Sequence, residues 1–325
     1  MSVSIPAGRS LASLSRYGLI LALIAVFSIF SVAAPTFLTQ GNLQSILVNN
    51  FTLLAIVSIA MTLAVSAGGI DLSVGTAVDF ASFAFVSLVL AGQSVVLAAL
   101  AALLAGALVG AFNAVLISGI GVSPFLATLG TLFIGRSIQQ LLTNGGNPVY
   151  LPPTVVPDAF RFLGHGTISE LPVPLVIAAA VIAGVAVLFS QTRFGRVVVS
   201  IGIQPSAVRY SGIGLGRHVA VTFLLAGTVA AIAGIILTST VTVYIPSSGN
   251  AFLLNAIGAT FIGTTFSSLG RPNVAGTVLG VLLLSIVANG LLLTGLNFYW
   301  QQVGTGSLIF AVLAFSFINR KTVSA

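Results

Sequence analysis

The chain has 325 residues, of which 57% are hydrophobic and 5% charged, with a formal net charge of +7 and no cysteine. A soluble domain carries roughly 25% charged residues, so this composition excludes a soluble globular protein and marks an integral membrane protein. Without thiols there are no disulfides, thiolate metal sites or cysteine nucleophiles, and His165 and His218 are too far apart in the sequence to form a metal cluster.

In chain order, the apolar runs are about 20 residues long, the length a helix needs to cross a hydrocarbon core about 30 Å thick, and not the alternating segments of about 10 residues typical of a membrane β-barrel. The fold class is therefore all-α, a polytopic membrane protein. Ten spans are predicted near 17–35, 47–67, 72–91, 94–118, 123–143, 173–190, 218–242, 252–268, 274–293 and 299–318, all within one transmembrane domain covering 1–325. Arg9 and Arg16 before the first run look like the start of a signal peptide, but the long run has no small-residue cleavage site and is read as a retained span. With the N-terminus inside, Arg9, Arg16, Arg193, Arg196, Arg209, Arg217, Arg271, Arg320 and Lys321 fall in inward segments and only Arg161 in an outward one. That asymmetry orients a chain in a bilayer with both termini cytoplasmic, and accounts for the basic charge without nucleic acid.

Between the second and third spans stands "GGIDLSVG" (68–75). Gly68 and Gly69 allow a sharp turn, and Asp71 or Ser73 is placed to cap a helix beginning at Leu72. The outward segment 144–172 is rich in Pro and Gly with interspersed aromatics, as expected of either an ordered external lid or a connector. The inward loop 191–217 contains a short helix signature, with Pro205 at a first-turn position and Gly212 as its C-terminal stop. So short a helix is marginal alone in water and calls for a partner at the cytoplasmic face. Spans two to five and seven to ten form two groups of four with opposite predicted topology, an inverted repeat. "GALVGAFNAVL" and "GTVLGVLLLSIVANGLLL" each join a small-xxx-small face, Gly106/Gly110 and Gly276/Gly280, to a later asparagine.

Polar side chains at membrane depth are costly and mark function or specific pairing. Asn50, Asp71, Ser73, Asn113, Thr128, Asn289 and Gln301 are candidate residues of a translocation pathway. Asp79 and Arg136 are opposite charges within spans and are expected to form a structural charge pair. No Ser/His/acid set falls at a common depth, and the only lysine, Lys321, belongs to no phosphate loop, so the chain is neither an enzyme nor its own ATPase.

Four stretches carry a family likeness: "SAGGIDLSVGT" (66–76), "GAFNAVLISGIGVSPFLATLGTLFIGRSIQQLLTNG" (110–145), "TRFGRVVVSIG" followed by "AVRYSGI" (192–213), and "ANGLLLTGLNFYWQQVGTGSLIFAV" (288–312). Through these the sequence resembles the ten-span permease subunits of bacterial ABC monosaccharide importers, such as the ribose, xylose, arabinose and galactose systems. The resemblance implies a multi-pass protein of the bacterial inner membrane that pairs with a second permease, same or different. It also implies ATP-binding-cassette ATPase subunits, which alone bind ATP and Mg, and a periplasmic sugar-binding protein. Pro205, Ser206, Val208, Arg209, Tyr210, Ser211 and Gly212 then correspond to the coupling helix that seats in the ATPase. The family usually carries a polar, often acidic "Gly-Asn-Glu"-like stretch before that helix, whereas this chain has Gly202-Ile203-Gln204-Pro205, a departure consistent with one half of a heterodimer. Importers of branched-chain amino acids or nucleosides and ion-coupled secondary transporters are the alternative classes, and a non-transporting membrane scaffold is a third.

Overall fold

A computed structural model describes residues 8–267 and 270–324. Their helices are α1 (Gly8–Ala33), α2 (Gln40–Ser45), a π turn (Ile46–Phe51), α3 (Thr52–Ser66), α4 (Val74–Leu90), α5 (Val95–Ala114) running into a second π turn (Val115–Ile120), and α6 (Pro124–Leu142). They continue with α7 (Asp158–His165), α8 (Val173–Gln191), α9 (Arg193–Ile203), α10 (Pro205–Tyr210), α11 (Leu215–Val241), α12 (Asn250–Thr264), α13 (Val274–Leu293) and α14 (Phe298–Ser324). Two short ribbons are the only sheet among the described residues: β1 (Val149–Tyr150) pairs antiparallel with β4 (Val243–Tyr244), and β2 (Thr167–Ile168) with β3 (Leu171–Pro172).

Five helical stretches, Gln40–Ser66, Val95–Ile120, Val173–Gln191, Leu215–Val241 and Val274–Leu293, are long and apolar enough to cross a bilayer, and Tyr17–Ala33, Val74–Leu90 and Asn250–Thr264 are shorter apolar helices. The chain is thus a helical, multi-pass membrane protein. Packing groups the residues into two compact units: Thr52–Ile257, and the residues up to Phe51 together with those from Gly258 onward. The side chains of Arg9, Arg16, Arg320 and Lys321, four of the charges used above for orientation, lie outside those described.

In the second of these units, Phe30, Ala34, Phe37, Ile46, Ile286 and Val287 form the core. Gly276 and Gly280 on α13 press against Gly263 and Ala259 of α12. Asn289 donates from Nδ2 to Asn42 Oδ1 at 3.0 Å, so this asparagine bonds across helices.

In the Thr52–Ile257 unit, α3 is buried nearly all round, with every residue from Leu54 to Ala64 inaccessible, as its unbroken apolar run requires. α5 crosses α11 closely: a Cβ on Gly106 would stand 2.5 Å from the Gly227 carbonyl oxygen and one on Gly110 would strike Phe223 O. Both small-xxx-small motifs therefore serve close backbone approach. Segment 144–172 is folded: Phe160 of α7 stacks on Phe85 at 5.2 Å and joins Leu151, Val156 and Tyr244 in one core.

Because backbone lies opposite Gly106, a side chain there cannot swing aside; Gly106→Val should force α5 and α11 apart, costing about 1–3 kcal/mol. The expected outcome is a drop in monodisperse protein on fluorescence-detected size exclusion, with Leu104→Val on the exposed face of the same helix behaving as wild type.

Candidate translocation and coupling site

The chain leaves helical geometry after Ser66 because Gly68 takes φ +86°, a conformation that costs glycine nothing. Gly68 N–H bonds Val65 O at 3.0 Å and Gly69 N–H bonds Ala64 O at 3.1 Å, closing the end of α3 in a Schellman pattern. Gly69 has no room for a Cβ, which would stand 2.6 Å from Pro124 Cβ at the head of α6. The turn is thereby held against α6, and its polar groups meet those of α5 and α6.

Asp71 Oδ1 accepts from Ser73 N–H at 2.8 Å and from Ser73 Oγ at 2.6 Å. Ser73 Oγ accepts from Asn113 Nδ2 at 2.6 Å, and Asn113 Oδ1 accepts from Thr131 Oγ1 at 2.6 Å. Thr128 Oγ1 takes Leu72 N–H at 3.1 Å and reaches Ile70 O at 3.2 Å. All five side chains are buried. Four pathway candidates from distant parts of the chain, Asp71, Ser73, Asn113 and Thr128, thus meet in one buried network. The capping expectation is corrected: α4 begins at Val74, Ser73 makes no side-chain cap bond, and the Asp71 carboxylate bonds Ser73 within the turn. Asn50, Asn289 and Gln301 belong to the other compact unit, where Asn289 is bonded to Asn42 and Asn50 and Gln301 are half-buried.

A second polar centre forms between α11 and α12. The chain there does not simply bridge two helix ends: Tyr244 packs edge-on against Phe83 at 5.3 Å, while Gly249 lies against Gly75. Phe83 and Gly75 are eight residues apart on α4, so the segment descends about 12 Å along that helix. Thr242 and Ser247 adopt φ +54° and +64°, left-handed conformations that strain a β-branched threonine in particular. Gln139 Oε1 accepts from Ser247 N–H at 2.8 Å and from Tyr244 Oη at 3.3 Å. Asp79 Oδ1 accepts from Gly249 N–H at 2.7 Å and Ser248 Oγ at 3.2 Å.

The expected Asp79–Arg136 pair is not formed. Asp79 is fully buried and Arg136 is exposed. The buried face of α6 is Thr128, Thr131, Gly135 and Gln139, and Arg136 lies about 100° around the helix from Gly135, which is the residue packed against Thr76 of α4. Sequence reasoning left Thr131 and Gln139 out of the site, although their i, i+3, i+7, i+11 spacing from Thr128 marks one helical face.

In the 191–217 segment, α10 carries Pro205 in its first turn and stops at Gly212, φ +75°, whose N–H bonds Arg209 O at 3.0 Å while Ile213 N–H bonds Val208 O at 3.4 Å. Val208 is buried, Pro205, Ser206, Arg209 and Tyr210 are exposed, and Ser211 Oγ returns to Ala207 O at 3.0 Å. A cleft of about 420 Å3 between α9 and α10 is lined by Arg193, Arg196, Ser200 and Ser211 among others. Gly202 of α9 meets Ser66 O and Gly68, so the α9–α10 unit touches the turn that carries Asp71. A groove of similar size beside α4, α5 and α6 is walled by Phe80, Phe83, Leu108, Phe112 and Ile134; its apolar lining suits lipid rather than a polyol.

A multi-pass helical protein with buried amides, hydroxyls and two carboxylates meeting at breaks in its helices has the makings of a membrane permease. The chain belongs to the family described as "Branched-chain amino acid transport system / permease component", whose profile matches residues 43–313. It is 32% identical over 284 residues to the ribose import permease protein RbsC of Escherichia coli (strain K12), covering 87% of this chain and 88% of that one. RbsC of Bacillus subtilis (strain 168) is 33% identical over 296 residues, covering 91% of each chain. The D-allose transport system permease protein AlsC of Escherichia coli (strain K12) is 31% identical over 303 residues, covering 92% of this chain and 90% of its own. No solved structure matches.

Asn113 uses both ends of its amide inside the protein, so Asn113→Ala leaves two buried hydroxyls without it, at a cost of about 1–3 kcal/mol. A melting temperature lowered by several degrees is expected in detergent. The double variant with Asp71→Ala should be less than additive, because both act on Ser73.

Proposed function

We propose that the chain is the pore-forming permease subunit of an ATP-binding-cassette importer that carries a monosaccharide from periplasm to cytoplasm. The observation that carries this reading is near full-length similarity to permeases named for ribose and allose import. The polar network supports it: hydroxyl and amide groups suit a neutral polyol better than an ion, which would call for rings of charge. With no phosphate loop of its own, the subunit depends on partner ATPases that bind ATP and Mg. In this reading all ten predicted helices cross the inner membrane as two inverted groups of four, with both termini cytoplasmic, and a second permease, identical or not, completes the pore. Segment 144–172, exposing Tyr150, Phe162 and Leu171, receives the periplasmic binding protein.

The coupling step follows from the contacts of α9 and α10. Arg209, Tyr210 and Ser206 face outward to the ATPase while Val208 roots α10 in the permease. A push on α10 reaches Gly202, and through its backbone contact with Ser66 and Gly68 it reaches the Asp71 turn from which α4 starts. Rigid helices jointed at such a turn can tip between inward- and outward-open states.

The direct test is uptake in proteoliposomes containing this chain, its ATPase, its binding protein and, where present, a second permease. ATP-driven import of a pentose or hexose that withstands ionophores is expected. Import of leucine, isoleucine or a nucleoside would change the cargo, collapse with an ion gradient would make the protein a secondary transporter, and a deletion strain without any uptake defect would leave a scaffold. Arg209→Glu should cut sugar uptake by about ten-fold or more through lost charge complementarity with the ATPase. Gly202→Val should uncouple hydrolysis from transport while the ATPase still co-purifies.

A further inference from the structure

We infer that Thr76, Asp79 and Asn250 form a transit site at which the cargo's hydroxyl groups are held as it passes the break between α11 and α12. The inference rests on the monosaccharide reading and deepens it.

The two carboxylate centres differ in one respect. Asp71 sits in a chain of bonds in which Ser73 and Asn113 are each engaged on both sides. At the second centre, Asp79 spends Oδ1 on Gly249 and Ser248, while Oδ2, Thr76 Oγ1 and Asn250 Oδ1 are all buried without a hydrogen-bond partner among the described residues. Thr76 and Asp79 are one turn apart on α4 and are 1% and 0% exposed. Asn250 Oδ1 lies 2.8 Å from where a Cβ on Gly75 would stand, and the residue before it is the one bonded to Asp79. Three buried oxygens thus lie within about one turn of α4 near the start of α12.

Buried polar atoms are normally paired, and each one left open costs free energy. A carboxylate oxygen, an amide oxygen and a hydroxyl together make an acceptor-rich set, and its natural complement is a group of O–H donors. Gln139, whose amide also carries donors, lies beside the same carboxyl, so the centre can give as well as take hydrogen bonds, as a hydroxyl needs. The centre also stands at a helix break, where irregular backbone in membrane transporters lines substrate sites. Because Thr76 and Asp79 are enclosed, the sugar enters only when the 242–249 segment moves away from α4, and the left-handed Thr242 and Ser247 are the strained points from which that motion starts.

The test uses the complete importer in proteoliposomes, with Thr76→Val and Asn250→Leu, both close in size and lacking the acceptor, and Asp79→Asn. The expected result is a rise of about ten-fold in ATP hydrolysed per sugar carried, since a site built to bond hydroxyls loses most when its polar groups are removed. Wild-type sugar import matched by both Thr76→Val and Asn250→Leu overturns the site alone. Wild-type import that requires Na+ overturns it in favour of a cation. A wild-type complex that imports an amino acid and no sugar overturns the cargo reading and the site with it. Should a variant fail to assemble, the wild-type complex is offered monodeoxy analogues that load the binding protein normally: at least one should be carried about ten-fold more slowly, and equal rates for all would overturn the proposal.

Discussion

Every backbone N–H or C=O that leaves a helix inside an apolar bilayer must find a partner within the protein, and the arrangement of the Thr52–Ile257 unit follows from how two helix breaks meet that demand. At 67–73, the end of α3 closes on itself, Leu72 N–H goes to Thr128, Ser73 N–H to Asp71, and Ile70 O receives Thr128 Oγ1. At 242–249, Thr242 O receives Leu151 N–H, Ser247 N–H goes to Gln139, and Gly249 N–H goes to Asp79. Both breaks draw on α6, whose buried face carries Thr128 for the first and Gln139 for the second. That helix is a polar spine between two irregular segments, which is why it is less apolar than α4 and α5.

These partners can reach only because side chains are absent elsewhere. Gly249 could not deliver its N–H to Asp79 if Gly75 carried a Cβ, which would lie 3.0 Å from Gly249 carbon and oxygen. The same economy operates where α9 meets the end of α3, with Gly202 seated on Ser66 O. Close backbone approach transmits displacement without slack, because no rotamer can absorb it.

Much of this was legible in the sequence, and the misses have physical causes. Asp71, Ser73, Asn113 and Thr128 stood out because polar groups are rare and expensive among apolar spans, and expense implies mutual pairing. Pro205 and Gly212 bracketed α10 because one fixes φ for a first turn and the other accepts a left-handed stop. Asp79 and Arg136 were misjudged because opposite charge says nothing of azimuth: one residue's step along α6 carries Arg136 off the face that meets α4. Thr76 and Asn250 gave little warning, since a threonine hydroxyl can bond its own helix and an asparagine at a helix start reads as a cap. The descent of 242–249 beside α4 depends on contacts with residues more than a hundred positions away, and no local pattern encodes it.

The two buried carboxylates show how the same residue type is put to opposite uses. Asp71 is bonded by the residue two positions on, so its carboxyl is held locally and stiffens the turn it sits in. Asp79 is stabilised from across the fold, by an N–H at the start of α12, where the helix dipole favours negative charge. An arginine partner would have held both oxygens and locked α4 to its neighbour. A backbone N–H and a serine hydroxyl hold one oxygen, with the Gln139 amide beside the carboxyl, a grip that leaves the contact breakable. A buried acid held this lightly, beside a strained turn at the head of a short helix, stabilises one arrangement of that turn without preventing another.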